Sequence, residues 1–147
     1  ARSTSGGVIM AGCHCIKSWS VTQRRVTLSS GEAELTAAIK MSSELIGVFQ
    51  MLEDWGCVRE AKVYVDSSAA IGITQRRGSG KLRHVRVGML WIQEKVEDGE
   101  LQIVKVPGTE NPADAMTKHL PGSKIEALMW KLSQEGRSGR AELSLRI

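Results

Sequence analysis

The chain has 147 residues, 41% hydrophobic and 24% charged, which is the size and balance of one globular domain with a single core. No apolar run approaches a membrane span, no signal-peptide h-region opens the chain, and three cysteines without framework spacing argue against a disulfide scaffold, so a soluble protein of a reducing, intracellular compartment, cytoplasmic or nuclear, is expected. A net charge of +4, with basic residues clustered near turns, suits a polyanionic partner, and a solvated basic surface accounts for it equally well.

Residues 7–12 and 15–21 are short β-favouring runs across a tight Cys-His link, and 24–28 can extend or follow them as a further strand. A long helix over 30–55 follows, with Ser29 and Glu32 at capping-box spacing and Gly56 as its stop. On a wheel of about 100° per residue, Leu35, Ala38, Leu45, Ile46, Phe49 and Leu52 form one apolar stripe. Glu34 falls inside that stripe and Glu32 at its edge, so Glu34 is expected to look inward and Glu32 to cap.

"AKVYVD" (61–66) alternates as a strand ending in Asp66, and "SSAAIGITQRR" begins as a short helix. The glycine-rich basic turn "RRGSGKLRH" (76–84) leads to a helix over 85–97 with Val87, Leu90, Trp91 and Ile92 as its stripe. Residues 100–107 form another strand. Asn111 can then cap a helix with Pro112 in its first position, which places Asp114 in the first turn. Residues 123–135 are helical, "GRSGR" (136–140) is a hinge, and "AELSLRI" (141–147) alternates like a strand or trails as a tail. Antiparallel strands followed by strands alternating with helices make a mixed α/β pattern.

Glu34, Asp66 and Asp114 are the carboxylates in positions suited to chemistry. Ligands of open α/β sheets gather outside the carboxyl ends of strands, where Asp66 lies. Asp114 also has an innocent explanation, because acids in a first helical turn complement the dipole. If the three converge, their repulsion calls for a cation, and hard divalent ions with oxygen ligands meet that need. Such a centre beside basic turns suits phosphodiester hydrolysis by the two-metal route.

Several blocks occur in order: "RSTSGG", "LSSGEAELTAA", "VYVDSSAAIG", "KLRHV" and "GTENPADAMTKHLP". In these the chain resembles the ribonuclease H domain of copia-type LTR-retrotransposon polyproteins, over residues 2–121. The resemblance implies a ribonuclease H-like fold, a mixed sheet flanked by helices, in residues 1–121, with 122–147 a C-terminal helical extension and tail. It implies hydrolysis of the RNA strand of an RNA–DNA hybrid with Mg²⁺ or Mn²⁺, two ions if the site is complete. It assigns Glu34, Asp66 and Asp114 as catalytic metal ligands, and makes the rest of a reverse transcriptase polyprotein a further partner.

The family carries one more carboxylate, an aspartate on its first and central strand. Here no aspartate precedes Glu32 and the match begins just after that strand, so the fold is expected to lack the usual first strand and the activity to be impaired. The alternative is a non-catalytic domain of the same fold, kept for binding nucleic acid or as part of an assembly. A missing central strand would leave unpaired edges, which residues 141–147 or a strand of a second chain are expected to fill.

In the basic turn, Arg76, Arg77, Lys81, Arg83 and His84 are the expected substrate contacts, because glycines let a backbone approach phosphate while cations neutralise it. An exposed loop of no consequence is the bland alternative. "CHC" (13–15) supplies too few ligands for zinc and suits small buried thiols. Trp55 and Trp91 belong to apolar stripes and are expected in the core. The family's mobile histidine before the last aspartate has no counterpart, and His119 is given no catalytic role.

Overall fold

The computed structural model of the chain describes residues 2–24, 26–57, 60–78 and 86–136. It opens with a hairpin in which β1 (Thr4–Ala11) and β2 (His14–Thr22) pair antiparallel. Gly12 turns the chain at φ +61°, a left-handed backbone that costs little without a Cβ. β1 buries alternate residues, Ser5, Gly7 and Ile9, whereas β2 is largely exposed.

No strand forms at 24–28 among the described residues. Gln23 is used instead as a brace: its N–H donates to Ser3 O at 2.8 Å, and its Nε2 donates to Ser5 Oγ and Ala33 O, both at 2.9 Å. The hairpin is thereby tied to the start of α1 (Ser30–Asp54). Ser29 Oγ accepts the Glu32 N–H at 3.2 Å and Glu32 Oε2 accepts the Leu28 N–H at 2.9 Å, a reciprocal cap of two donors that no helical carbonyl can reach. At the other end Gly56 takes φ +76° and donates to Glu53 O at 2.8 Å, as expected.

β3 (Lys62–Val65) lies parallel to β4 (Gln102–Lys105). Parallel neighbours need a crossover, which α2 (Ser68–Thr74) and α3 (Arg86–Glu97) provide. The core joins Leu35 and Ala38 of α1, Val63 and Val65 of β3, Ala70 of α2, and Met89 and Ile92 of α3. Val87 and Leu90, expected in the α3 stripe, are exposed, because the helix turns Met89 inward beside the expected Ile92. Trp91 packs against the core as expected. Trp55 does not: it is 70% exposed, standing where the chain turns away at the end of α1.

After β4 a short 3-10 turn (Gly108–Glu110) leads to Asn111, whose Oδ1 accepts the Ala113 N–H at 3.1 Å. That local bond makes an Asx turn rather than the expected helix cap. Pro112 therefore sits in the turn, and α4 (Asp114–Thr117) is a single helical turn beginning at Asp114. α5 (Gly122–Lys131) buries Leu128, as the following turn buries Leu132, and ends short of 135 because Ser133 adopts φ 53°. The hinge and strand expected from residue 137 onward lie outside the described residues.

The architecture is mixed α/β, with small sheets flanked by helices, consistent with a ribonuclease H-like fold. Among the described residues the strands divide into two pairs, β1–β2 and β3–β4. β1 and β3 do not pair with each other, and that gap creates the site.

Candidate active site

A groove runs between β1 and β3. Three adjoining cavities that share wall residues trace it: Val8, Ile9 and Met10 line one side, Lys62, Val63 and Tyr64 the other, and Met41 and Leu45 of α1 form part of the lining. The middle is apolar. Toward Gly6 and the end of β3 it becomes acidic, because Glu34, Asp66 and Asp114 all line the same cavity there. Residues 32 positions and 48 positions apart in sequence are thus brought to one place by α1, β3 and α4.

Each carboxylate has its own support. Asp66 follows β3, where Lys105 Nζ donates to its backbone carbonyl and to Ser68 Oγ, both at 2.6 Å; this fastens the strand end to the start of α2. Gly108 faces Asp66, and a Cβ there would make ordinary van der Waals contact with Asp66 Oδ2 at 3.4 Å. Asp114 is 7% exposed and is carried by α4, which lies flat on β1 at Gly6. A Cβ on Gly6 would come within 2.6 Å of Thr117 Cγ2 and 2.7 Å of Met116 Cβ, so only glycine admits this approach.

Glu34 corrects the wheel. It is exposed, and Glu32 is the buried member of the pair at 4%. The apolar stripe of α1 is broad because the helix borders both the core and the groove, and Glu34, Ala37 and Met41 belong to the groove side. Although the groove mouth is open, its walls strip enough water from Glu34 to raise its carboxyl above the ordinary value of 4.5. Asp66 pushes the same way, Lys118 opposes, and Asp114 adds a smaller rise.

Lys118 was not singled out from the sequence, although its spacing of four from Asp114 is the helical ion-pair spacing. Its Nζ donates to Asp114 Oδ2 at 2.9 Å. That bond is the leading cause of a pKa raised above the ordinary lysine value, with Asp114, Asp66 and Glu34 all acting on it through space.

A divalent ion needs several oxygens converging on one point. Among the described residues no three His, Cys, Asp or Glu side chains are grouped closely enough to hold one, and Asp114 is already engaged by an ammonium. The carboxylates present therefore do not by themselves fit the Mg²⁺ or Mn²⁺ site that the resemblance implies.

The expected substrate contacts are elsewhere. Arg76 and Arg77 are exposed beyond the far end of α2, about 10 Å along a seven-residue helix from the Asp66 end. Arg77 pairs with Glu97 of α3. Lys81, Arg83 and His84 lie outside the described residues. The start of the basic turn is held by Gln93, which sequence reasoning missed: its Nε2 donates to Ile73 O at 2.8 Å and Gly78 O at 3.1 Å, and its Oε1 accepts the Gly78 N–H at 3.1 Å. No periodicity marks a polar residue on a buried helix face for that task. Cys13 and Cys57 are exposed free thiols and Cys15 is half-buried, so the buried-thiol expectation fails because the hairpin turn projects into solvent. No described helix is long and apolar enough to cross a membrane.

Comparison with known proteins finds relatives of the chain among mobile-element polyproteins. It is 35% identical over 128 residues to the retrovirus-related Pol polyprotein from transposon TNT 1-94 of Nicotiana tabacum, covering 85% of this chain and 10% of that protein. It is 29% identical over 133 residues to the Pol polyprotein from transposon RE1 of Arabidopsis thaliana, covering 88% of this chain and 9% of the relative. The RE2 polyprotein of the same plant matches at 29% over 121 residues, 80% of this chain and 8% of the relative. The chain thus spans about a tenth of the length of the curated relatives it matches. No family model and no solved structure matches it.

Proposed function

We propose that this chain, homologous over most of its length to one short segment of the Pol polyproteins of copia-like transposons, is their ribonuclease H domain. Its proposed reaction is hydrolysis of the RNA strand of an RNA–DNA hybrid, impaired in these 147 residues because the first-strand aspartate is absent. The observation that carries the reading is the meeting of Glu34, Asp66 and Asp114 in one groove at the end of β3, between two sheet edges with no strand between them among the described residues. By the resemblance, the family's first strand belongs between such edges and brings the remaining carboxylate to this acidic end.

The described groups around the groove position its carboxylates. The backbone at Asp66 is fastened by Lys105, and the helical turn that carries Asp114 is packed at Gly6. Hybrid recognition would rest on phosphates, 2′-hydroxyls and groove shape, with Arg76, Arg77, Lys81, Arg83 and His84 as the proposed backbone contacts.

The test is cleavage of an RNA–DNA hybrid with Mg²⁺ or Mn²⁺ by the 147-residue chain and by a chain extended with the upstream aspartate-bearing strand. Little cleavage by the first, and cleavage by the second that Asp66→Asn removes, is expected. A folded extended chain that leaves the hybrid intact rules the reading out. The second reading, a non-catalytic scaffold of the same fold, draws on the Lys118–Asp114 pair, which offsets one of the three carboxylates without metal.

A further inference from the structure

α1 presents three faces. Leu35, Ala38 and Ser42 are buried, and Glu34, Ala37 and Met41 border the groove. Lys40, Ser43, Gly47, Gln50 and Asp54 recur at spacings of three and four, a stripe turned away from both. In a lone chain that third face carries two unfavourable features. Gly47 stands inside a 25-residue helix, where glycine lowers stability. Its φ is not positive and a Cβ there would meet nothing within 4 Å, so neither backbone conformation nor crowding within the chain calls for glycine. At the helix end, Glu53 and Asp54 are followed by no basic residue in the last turn and so face the negative end of the helix dipole. Met51 and Trp55 beside them are 42% and 70% exposed.

The same positions form a self-complementary register. Lys40 and Asp54 lie equally far from Gly47 in opposite directions, about 10 Å along the axis, and Ile39 and Trp55 about 12 Å. A second copy whose α1 runs antiparallel across the first at Gly47 therefore sets Asp54 of each protomer against Lys40 of the other. It also brings Trp55 level with Ile39, which shares an apolar cavity with the exposed Val21 and Val26. Both charges are open to this pairing. Lys40 Nζ reaches Glu44 at 3.5 Å, a carboxylate that Lys17 already holds at 2.6 Å, and Asp54 has no ion pair among the described residues.

We infer that the protein associates with a second copy of itself through this face, as a two-fold dimer of antiparallel α1 helices crossing at Gly47. A two-fold contact needs a surface complementary to itself, and a stripe positive at one end, negative at the other and small in the middle meets that need. Gly47 and Ser43 let the helix axes approach closely, and the acidic end of each helix gains a cation from the other. One helix pair with its flanking side chains is a small interface, so the association is weak and depends on concentration. Neither the acidic cavity nor any substrate takes part, and the dimer is independent of the ribonuclease reading.

The test is sedimentation equilibrium of the 147-residue chain over a concentration series, with a thiol reductant because Cys13 and Cys57 are exposed. Wild type is expected to move from the 16.0 kDa of one chain toward twice that mass. A mass that stays at one chain up to about 1 mM, the weak end of specific association, overturns the proposal. Gly47→Leu places its side chain in open space in the monomer, so the melting temperature is held or raised while the dimer is lost. A Gly47→Leu chain that dimerises as wild type does overturns the crossing point.

Charge reversal tests the register. Lys40→Glu and Asp54→Lys each make both symmetry-related pairs repulsive, and each is expected to raise the dissociation constant about tenfold. In an equimolar mixture of the two variants, both pairs across a mixed dimer are again of opposite sign, so association recovers toward wild type. Dimers indifferent to both reversals, or a mixture no tighter than its components, place the contact elsewhere and overturn the inference.

Discussion

Glu32 and Glu34 stand two residues apart on α1 and have opposite fates. Glu32 is 4% exposed and its Oε2 takes the Leu28 N–H at 2.9 Å, whereas Glu34 opens onto the groove with Asp66 and Asp114. The first closes the helix; the second belongs to the acidic cavity. Substitutions at the two positions should therefore move stability in opposite directions.

Glu32→Ala removes the carboxylate half of the reciprocal cap and leaves the Leu28 N–H without that acceptor. A loss of about 1 kcal/mol is expected, the usual scale for a helix cap, read as a lower urea midpoint at unchanged slope. An unchanged midpoint would mean that Ser29 closes the helix alone.

Glu34→Gln should be neutral or stabilising near neutral pH in the metal-free chain. Because the folded pKa of Glu34 lies above its ordinary 4.5, the folded state binds the proton more tightly than the unfolded state between those two values. Stability consequently falls as pH rises through that window, and the penalty is fully present above the folded pKa. Solvent screening limits it to a few tenths of a kcal/mol, so a melting temperature about 1–2 °C higher at neutral pH is expected. Melting curves for both proteins should converge as pH drops below the window; a difference independent of pH contradicts the assignment.

Gly6→Ala tests how Asp114 is positioned. The added Cβ would lie 2.6 Å from Thr117 Cγ2, so α4 has to move off β1. About 1–3 kcal/mol of stability should be lost, as for other overpacked contacts, and the Lys118–Asp114 pair should loosen with it. Backbone amide shifts in residues 113–118 on the spectrum of the variant would show the displacement; shifts confined to residues 5–7 would argue against it.

Gln93→Leu keeps the volume of the side chain and removes its three hydrogen bonds to Ile73 and Gly78. With those backbone groups losing their partner, a cost of about 1–3 kcal/mol is expected. If the basic turn contacts nucleic acid, hybrid binding measured by fluorescence anisotropy should weaken as well, because Arg76 and Arg77 lose their fixed base. Unchanged binding with lowered stability would separate the turn from the substrate.

What could be read from the sequence was local. Ser29 and Gly56 bracket α1 because a cap and a left-handed stop act within a few residues. Asp66 ends a strand that alternation alone reveals. Ser67 opens α2 by the same side-chain bond that Ser29 makes, its Oγ accepting the Ala70 N–H at 3.2 Å. The mixed α/β class followed from the order of such elements, and the three carboxylates from their places on them together with the ordered blocks of the resemblance.

What the tertiary structure decided depends on distances that no local pattern encodes. A helical wheel has one inside, but α1 borders both a core and an open groove, so Glu34 lies on a face the wheel could not distinguish. Asn111 can cap a helix or fold back on Ala113, and the packing at Gly6 accompanies the second. Trp55 and Val87 carry apolar surface at stripe positions, yet the chain turns them to solvent where a helix ends or begins. Lys118 was visible only as an ordinary four-residue spacing; its meaning comes from α4 lying on β1, which places that ammonium in the cavity of Glu34 and Asp66. Charge acts through space, and only the fold sets which charges share it.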